Sequence, residues 1–204
     1  MLVVGSNLVD YPVLSLHLGG LLSHTVKPII DPESLAVIAY TLNEREIDYP
    51  EVGNILMIED VREFSDNGLI IDSSDRLVTR EDVIKLDKIM ELEFDLIGLK
   101  VVTKDGKKLG KVIDYTLDSG TFSIFQIIVQ RPFLDSLVDP ELTINRSQIV
   151  EIDDEKITIK HDKQKVRLPK ADSKKDFVPN YVNPFRKPNY SEEDKAESSS
   201  STSE

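Results

Sequence analysis

Short apolar runs separated by turn-forming residues fill most of this chain. In the second half, two such runs flank the pair Asp105-Gly106, which is a strong β-hairpin signal because these residues tolerate the backbone angles of a tight turn. A later run over residues 122–129 is apolar at nearly every position, as is typical of a central strand covered on both faces. Residues 94–161 are therefore predicted to form a small antiparallel β-barrel.

The first half carries a weaker version of the same pattern. An offset of 88 residues aligns Val61 with Ile149, and an offset of 87 aligns Ile30 with Leu117. The difference of one residue falls in a loop, where insertions are tolerated. We interpret residues 1–78 as a degenerate copy of the second half, so that the fold class is all-β, with two small antiparallel barrels in tandem.

One helix is predicted between the two copies, over residues 79–93. Thr79 and Asp82 have the spacing of a capping box, in which each side chain bonds to the other's backbone N–H. Apolar residues then recur at helical spacing at Val83, Leu86 and Ile89. This stripe is typical of a connecting helix packed on a barrel, and a partner-binding helix is the alternative.

The last segment, residues 162–204, is predicted to be a charged and largely disordered tail, because its end is polar and low in complexity. An aromatic segment at 177–187 interrupts it. Aromatic residues beside prolines in such a tail indicate a short docking segment, which binds either this chain's own barrels or another protein. The candidate docking residues are Phe177, Tyr181, Val182, Pro184, Phe185 and Arg186.

The chain carries a net charge of −12, and the acidity is concentrated in residues 1–93, whose net charge is −11. Five lysines nevertheless cluster around the Asp105-Gly106 hairpin: Lys100, Lys104, Lys107, Lys108 and Lys111. They form a local positive arm, and the favoured explanation is protection of an exposed edge strand, since lysines block unwanted sheet addition. Contact with RNA or an acidic partner is the alternative.

No pattern in the sequence indicates catalysis. The chain has no cysteine, and its three histidines show no metal-ligand spacing. Carboxylate clusters at 72–75 and 153–155 are typical of turns. No apolar run is long enough to span a membrane, and the first residues do not form a signal peptide. We therefore expect a cytoplasmic, non-enzymatic protein without cofactor or metal.

The second half resembles the PRC-barrel domain, the β-barrel shared by the photosynthetic reaction-centre H subunit and a ribosome maturation factor. The resemblance covers Leu96-Ile97-Gly98, Val101, Asp105-Gly106, residues 109–112, Asp114, residues 124–129, residues 144–149, Asp153-Asp154 and Ile157. The first half is similar but has Asp10 at the position of Gly98.

The resemblance implies a non-catalytic adaptor, because members of this family dock onto larger assemblies. The chain has neither the membrane helix of the H subunit nor the extra N-terminal barrel of the maturation factor. The predicted function is an adaptor that binds an unidentified protein. The alternative is an RNA-associated or ribosome-maturation factor that docks on a ribosomal particle through the lysine hairpin. The sequence does not indicate an oligomeric state.

Overall fold

The computed structural model describes residues 1–48, 52–132 and 140–160. Residues 1–162 form one compact unit, and the predicted tail with its aromatic segment lies outside the described residues. The described chain is mostly β structure with one short α-helix. The helix α1 is Ile84–Glu91, and the strands are β1 Leu2–Val4, β2 Pro12–Ser15, β3 Gly20–Asp31, β4 Ala36–Leu42, β5 Ile55–Met57, β6 Glu63–Ser65, β7 Gly68–Ile71, β8 Lys100–Thr103, β9 Lys108–Asp118, β10 Ile124–Gln130, β11 Glu141–Asn145, β12 Ile149–Ile152 and β13 Lys156–Ile159.

The strands form two sheets with the same order. In the first sheet the order is β5-β4-β3-β2-β7-β6, and in the second it is β11-β10-β9-β8-β13-β12. The prediction of purely antiparallel barrels is wrong in one respect, because β7 pairs parallel with β2, and β13 pairs parallel with β8. The last hairpin is β6–β7 in the first half and β12–β13 in the second. Its second strand lies beside the first strand of the β2–β3 or β8–β9 hairpin and runs in the same direction. Both hydrogen-bonded paths are open among the described residues.

The two sheets also share their register. Ile30 pairs with Val37 in the first sheet, and Leu117 pairs with Ile124 in the second, which is the offset of 87 residues expected from the sequence. Bulges interrupt the two ladders at the same places, directly after these pairs and again near the far end of each strand pair. The repeated order of strands and turns predicted from the sequence is therefore present in the backbone.

A bulge determines which side chains of β10 face the core. Simple alternation places Ile124 and Ile127 on opposite faces, but both side chains are fully buried. The register shift between Ile124 and Gln126 adds one residue to the strand and reverses the alternation beyond it. Phe125 consequently points outward and is 46% exposed, so the outer face of this strand is only partly covered.

The hairpin at Asp105-Gly106 forms as predicted. Within its turn, Gly106 has a positive φ of 79° whereas Asp105 does not, and the N–H of Gly106 donates to the carbonyl oxygen of Thr103. This arrangement suits a three-residue hairpin loop whose glycine adopts the left-handed conformation at its end. Residues 96–98, before the hairpin, form a bend and a turn, so the strand itself begins only at Lys100.

Direct backbone pairing joins the two halves. The N–H of Val37 donates to the carbonyl oxygen of Phe122 at 3.0 Å, and the N–H of Ile124 donates to Leu35 at 3.0 Å. These positions are equivalent in the two halves, so the two hydrogen bonds are reciprocal. In addition β1, which the sequence did not predict, pairs antiparallel with β9. The first residues of the chain thus complete the sheet of the second half.

The largest hydrophobic core draws on both halves. It includes Val13, Tyr40 and Leu69 from the first half and Ile127 and Ile157 from the second. An aromatic group lies where the halves meet, with Phe64 stacked on Tyr11 at 5.8 Å and edge-on to Phe122 at 6.3 Å. The expectation that each sheet encloses a separate interior therefore differs from the structure, in which one cluster of buried side chains spans both sheets.

The helix begins near the position that the sequence predicts. Thr79 and Asp82 form the predicted capping box before α1. Leu86 and Ile89 are buried against Ile29, Ala39 and Ile55 of the first sheet. The helix thus covers the outer face of strands β3, β4 and β5.

Candidate docking surface

The predicted lysine cluster lies on the outer face of the β8–β9 hairpin. Lys100 is paired with Lys111 of β9 on one side and with Lys156 of β13 on the other. All three side chains are exposed, and they form one row across three adjacent strands. Neighbouring strands are about 4.8 Å apart, so the row spans roughly 10 Å. The exposed residues Lys104, Lys107 and Lys108 extend it toward the hairpin tip. We call these six lysines the lysine face.

For Lys100 and Lys111, the structure contradicts protection of an edge strand as the reason for the lysines. Strand β8 is paired with β9 on one side and with β13 on the other, so it has no open edge. At Lys111, β9 is paired with β8 and with Gln130 of β10. Lys100 and Lys111 therefore lie in the middle of the sheet, where blocking sheet addition is not needed.

The arrangement has an electrostatic cost. Like charges directly opposite each other on neighbouring strands destabilise a sheet. Among the described residues, none of the five hairpin lysines forms an ion pair, whereas Lys156 Nζ lies 3.7 Å from Asp153 Oδ2. Asp153 is engaged in its own turn, because the backbone N–H groups of Glu155 and Lys156 donate to it and hold the pKa of its carboxyl below its usual value. The fold therefore carries a concentration of positive charge that its own described residues neutralise only at one end.

A groove of about 400 Å³ lies beside this row. Its walls carry Lys100, Lys108, Lys111 and Arg131, and Val102 and Pro132 contribute apolar surface. Gly110 belongs to the groove as well, and any side chain there would collide with the backbone of Gln130, since an added Cβ would overlap its carbonyl oxygen. The close approach of β9 and β10 thus fixes a glycine at this position. The groove combines a positive rim with apolar surface.

The equivalent hairpin in the first half has the opposite chemistry. The β2–β3 connection exposes Leu16, Leu18 and Leu21, each by slightly more than half of its surface. Their exposure could not be predicted from the sequence, because the Gly19-Gly20 pair gives no information on which face a neighbouring side chain occupies. The positive charge is therefore a property of the second half and not of the repeat.

The remaining candidates fall into two groups. Phe177, Tyr181, Val182, Pro184, Phe185 and Arg186 lie outside the described residues, so their docking role stays a prediction. Within the described ranges there is no group of three or more histidine or acidic side chains placed to hold a metal ion. The most deeply buried ionisable groups there are Tyr40 and Tyr115, and burial raises the pKa of both. Both hydroxyls are therefore protonated at neutral pH.

A comparison with protein families matches residues 90–170 to the PRC-barrel domain. This stretch is a PRC-barrel domain. Its described part contains β8 to β13, including the whole lysine face, and the match does not extend to the first half. No curated protein matches the chain significantly. Among the described residues, no helix is long and apolar enough to cross a membrane.

Proposed function

We propose that this chain is a non-catalytic adaptor that binds another protein through its PRC-barrel domain. The match over residues 90–170 supports this role, because PRC-barrel domains serve as interaction modules. The observation that carries the proposal is the lysine face: it is exposed, its central row Lys100, Lys111 and Lys156 crosses three paired strands, and it bears charge that the described residues leave largely uncompensated. Such an arrangement lowers the stability of the sheet and is therefore explained better by a partner than by the fold.

In this proposal the chain is a tandem of two PRC-like halves. Residues 1–78 form the degenerate copy, residues 79–93 connect the halves, and residues 94–161 form the second copy, with residues 162–204 as a tail. The common strand order and the matching register support the tandem. The first half would act as a scaffold, since its strand β1, its Leu35–Val37 backbone and its share of the core all contact the second half.

A second candidate function is RNA binding at the same face, as in a ribosome-maturation factor. Six clustered lysines favour it, because phosphate contacts supply most of the affinity for nucleic acid. Against it, no described residue that lines the groove is aromatic, whereas proteins that bind single strands offer aromatic side chains on which bases stack.

Affinity capture with the full chain, with and without nuclease treatment, separates the two functions. An adaptor is expected to retain the same protein partners after the nuclease treatment. Loss of all captured proteins after that treatment would contradict the adaptor and support the RNA-associated function. The chain that lacks residues 171–204 serves as a third arm, which tests whether the aromatic segment at 177–187 carries part of the contact.

A further inference from the structure

The lysine face has the chemistry to recognise one class of partner. Its row of three lysines spans roughly 10 Å, and an extended peptide places alternate side chains on one side about 6.8 Å apart. An extended chain with acidic residues at alternate positions would thus place two carboxylates within the length of the row, where the flexible lysine side chains can reach them. Charge-assisted hydrogen bonds between ammonium and carboxylate are stronger than neutral ones.

The groove adds a second requirement. Its apolar surface comes from Val102, Pro132 and the stems of the surrounding lysines. An apolar side chain of the partner would exclude water from this groove, while the lysine and arginine head groups around it would hold the flanking acidic residues. Nucleic acid has charge but lacks flexible apolar side chains, so it would use only half of this surface.

We propose that the lysine face and its groove bind an acidic, partly apolar segment of a partner polypeptide. The inference rests on the adaptor function proposed above, and it goes further by fixing the contact surface and the chemical class of the partner. The partner segment is extended, carries several Asp or Glu residues, and places at least one aliphatic side chain in the groove.

The test is a binding titration of the full chain with defined probes. The main probe is a fluorescent peptide of about ten residues in which Glu residues flank a central Leu-Val pair, a length that covers the face in extended form. The matched peptide has Gln in place of every Glu, and an oligouridylate of similar length represents RNA. We expect the acidic peptide to bind best, and its affinity to fall as salt is raised.

Two double variants test the site. Lys100→Gln combined with Lys111→Gln should weaken binding of the acidic peptide by about tenfold, the combined effect of two exposed charge pairs. Lys27→Gln combined with Lys88→Gln makes the same change in net charge away from the face and should change binding by less than about twofold. Lys100→Arg combined with Lys111→Arg should retain binding, because the charge is kept.

A stability measurement on the same variants guards against misfolding. The lysine-to-glutamine variant of the face should unfold at the same or a higher denaturant concentration than the wild type, because it removes a like-charge contact. Weaker binding by a variant that is clearly less stable would not count for the site, and the charge-retaining arginine variant would then decide: its failure to bind would overturn the proposal.

Three further results would overturn the inference. Equal effects of the face variant and the control would place binding elsewhere. Tighter binding of oligouridylate, lost in the face variant, would assign the surface to RNA. Peptide binding that becomes measurable only after removal of residues 188–204 would assign it to the chain's own acidic end. If any of these occurred while nuclease-resistant protein partners were still captured, the adaptor function would stand and only the contact surface would be wrong.

Discussion

Single residues with unusual backbone angles mark equivalent positions in the two halves. Asp10 has φ 57° and Gly98 has φ 91°, and the N–H group of each donates at 2.8 Å to a carbonyl oxygen in the second strand of the hairpin that follows, Thr25 of β3 and Val112 of β9. Asp tolerates this left-handed region better than most residues, and Gly tolerates it best. An aspartate at position 10 is thus compatible with the same kind of turn that Gly98 forms in the second half.

We predict that Gly98→Ala lowers the free energy of unfolding by about 1 kcal/mol, because an alanine is strained at this φ. A Cβ at Gly98 would meet no atom within 4 Å, so the loss comes from the backbone alone. Gly20→Ala is the control, since Gly20 is equally open but does not have a positive φ. Equal unfolding midpoints for the two variants in a urea titration would contradict the assigned turn.

Two aspartates at equivalent turns are also expected to control acid stability. Partial burial of Asp31 by itself raises the pKa of its carboxyl, but hydrogen bonds from Ser34 and Glu33 outweigh this effect and leave the pKa below its usual value. At Asp118 the N-terminal ammonium and the N–H groups of Gly120 and Thr121 lower the pKa. Both carboxylates therefore favour the folded state when they are ionised.

The sign of the pH effect follows from these shifts. Because the folded pKa values are lower than the unfolded value of about 3.9, the contribution is complete at higher pH and is lost as the pH falls through the folded values. We predict that Asp31→Asn combined with Asp118→Asn reduces the loss of stability between about pH 5 and about pH 2.5. Denaturant midpoints measured across this range check it, and parallel curves for variant and wild type would refute it.

Among the strands and the helix, the order of elements can be predicted from the sequence, but the faces of a strand that contains a bulge cannot. The order of strands, the β8–β9 hairpin and the helix cap follow from local patterns of apolar residues and turn-forming residues. The faces of β10 do not, because a bulge reverses the alternation after Ile124 without a sequence signal such as glycine. Strand β1 was missed for a different reason: three residues contain too little periodicity to indicate a partner 114 residues away.

The parallel pairings and the position of the lysines have a similar origin. Local patterns do not state which distant strand lies next to β8, so its pairing with β13 could not be predicted. Without that pairing, the hairpin lysines looked like residues of an exposed edge. The cluster of five hairpin lysines was visible in the sequence. The place of Lys156 beside them and the adjoining groove depend on contacts between distant strands.

The positions of Ile127 and Phe125 on opposite sides of β10 lead to a prediction about stability. Ile127 is fully buried in the shared core, so Ile127→Ala should cost roughly 2–5 kcal/mol of stability, the range for deleting a buried aliphatic side chain. Phe125→Ala, which removes a larger but exposed side chain two residues away, should cost less than about 1 kcal/mol. A larger effect at Phe125 than at Ile127, measured by chemical denaturation, would show that the bulge is misplaced.

At the scale of the whole molecule, the halves are expected to fold together. They share a core, exchange reciprocal hydrogen bonds at Leu35 and Phe122, and are tied by β1 on β9. We predict a single unfolding transition for the full chain, coincident by circular dichroism and by tyrosine fluorescence. Residues 94–161 alone should unfold at a clearly lower denaturant concentration, because they lose β1 and the apolar surface of the partner half. Two separate transitions in the full chain would mean that the halves are independent barrels.

The central claim is that another protein occupies the lysine face, and site-specific photocrosslinking in cells tests it most directly. The photoreactive residue p-benzoylphenylalanine replaces Lys107 at the hairpin tip. In the control it replaces Lys88, which lies on helix α1, outside the lysine face. If another protein occupies the lysine face, position 107 yields a crosslinked product that is destroyed by protease and resists ribonuclease, and position 88 yields none. A ribonuclease-sensitive product at position 107, or equal products from both positions, would contradict it.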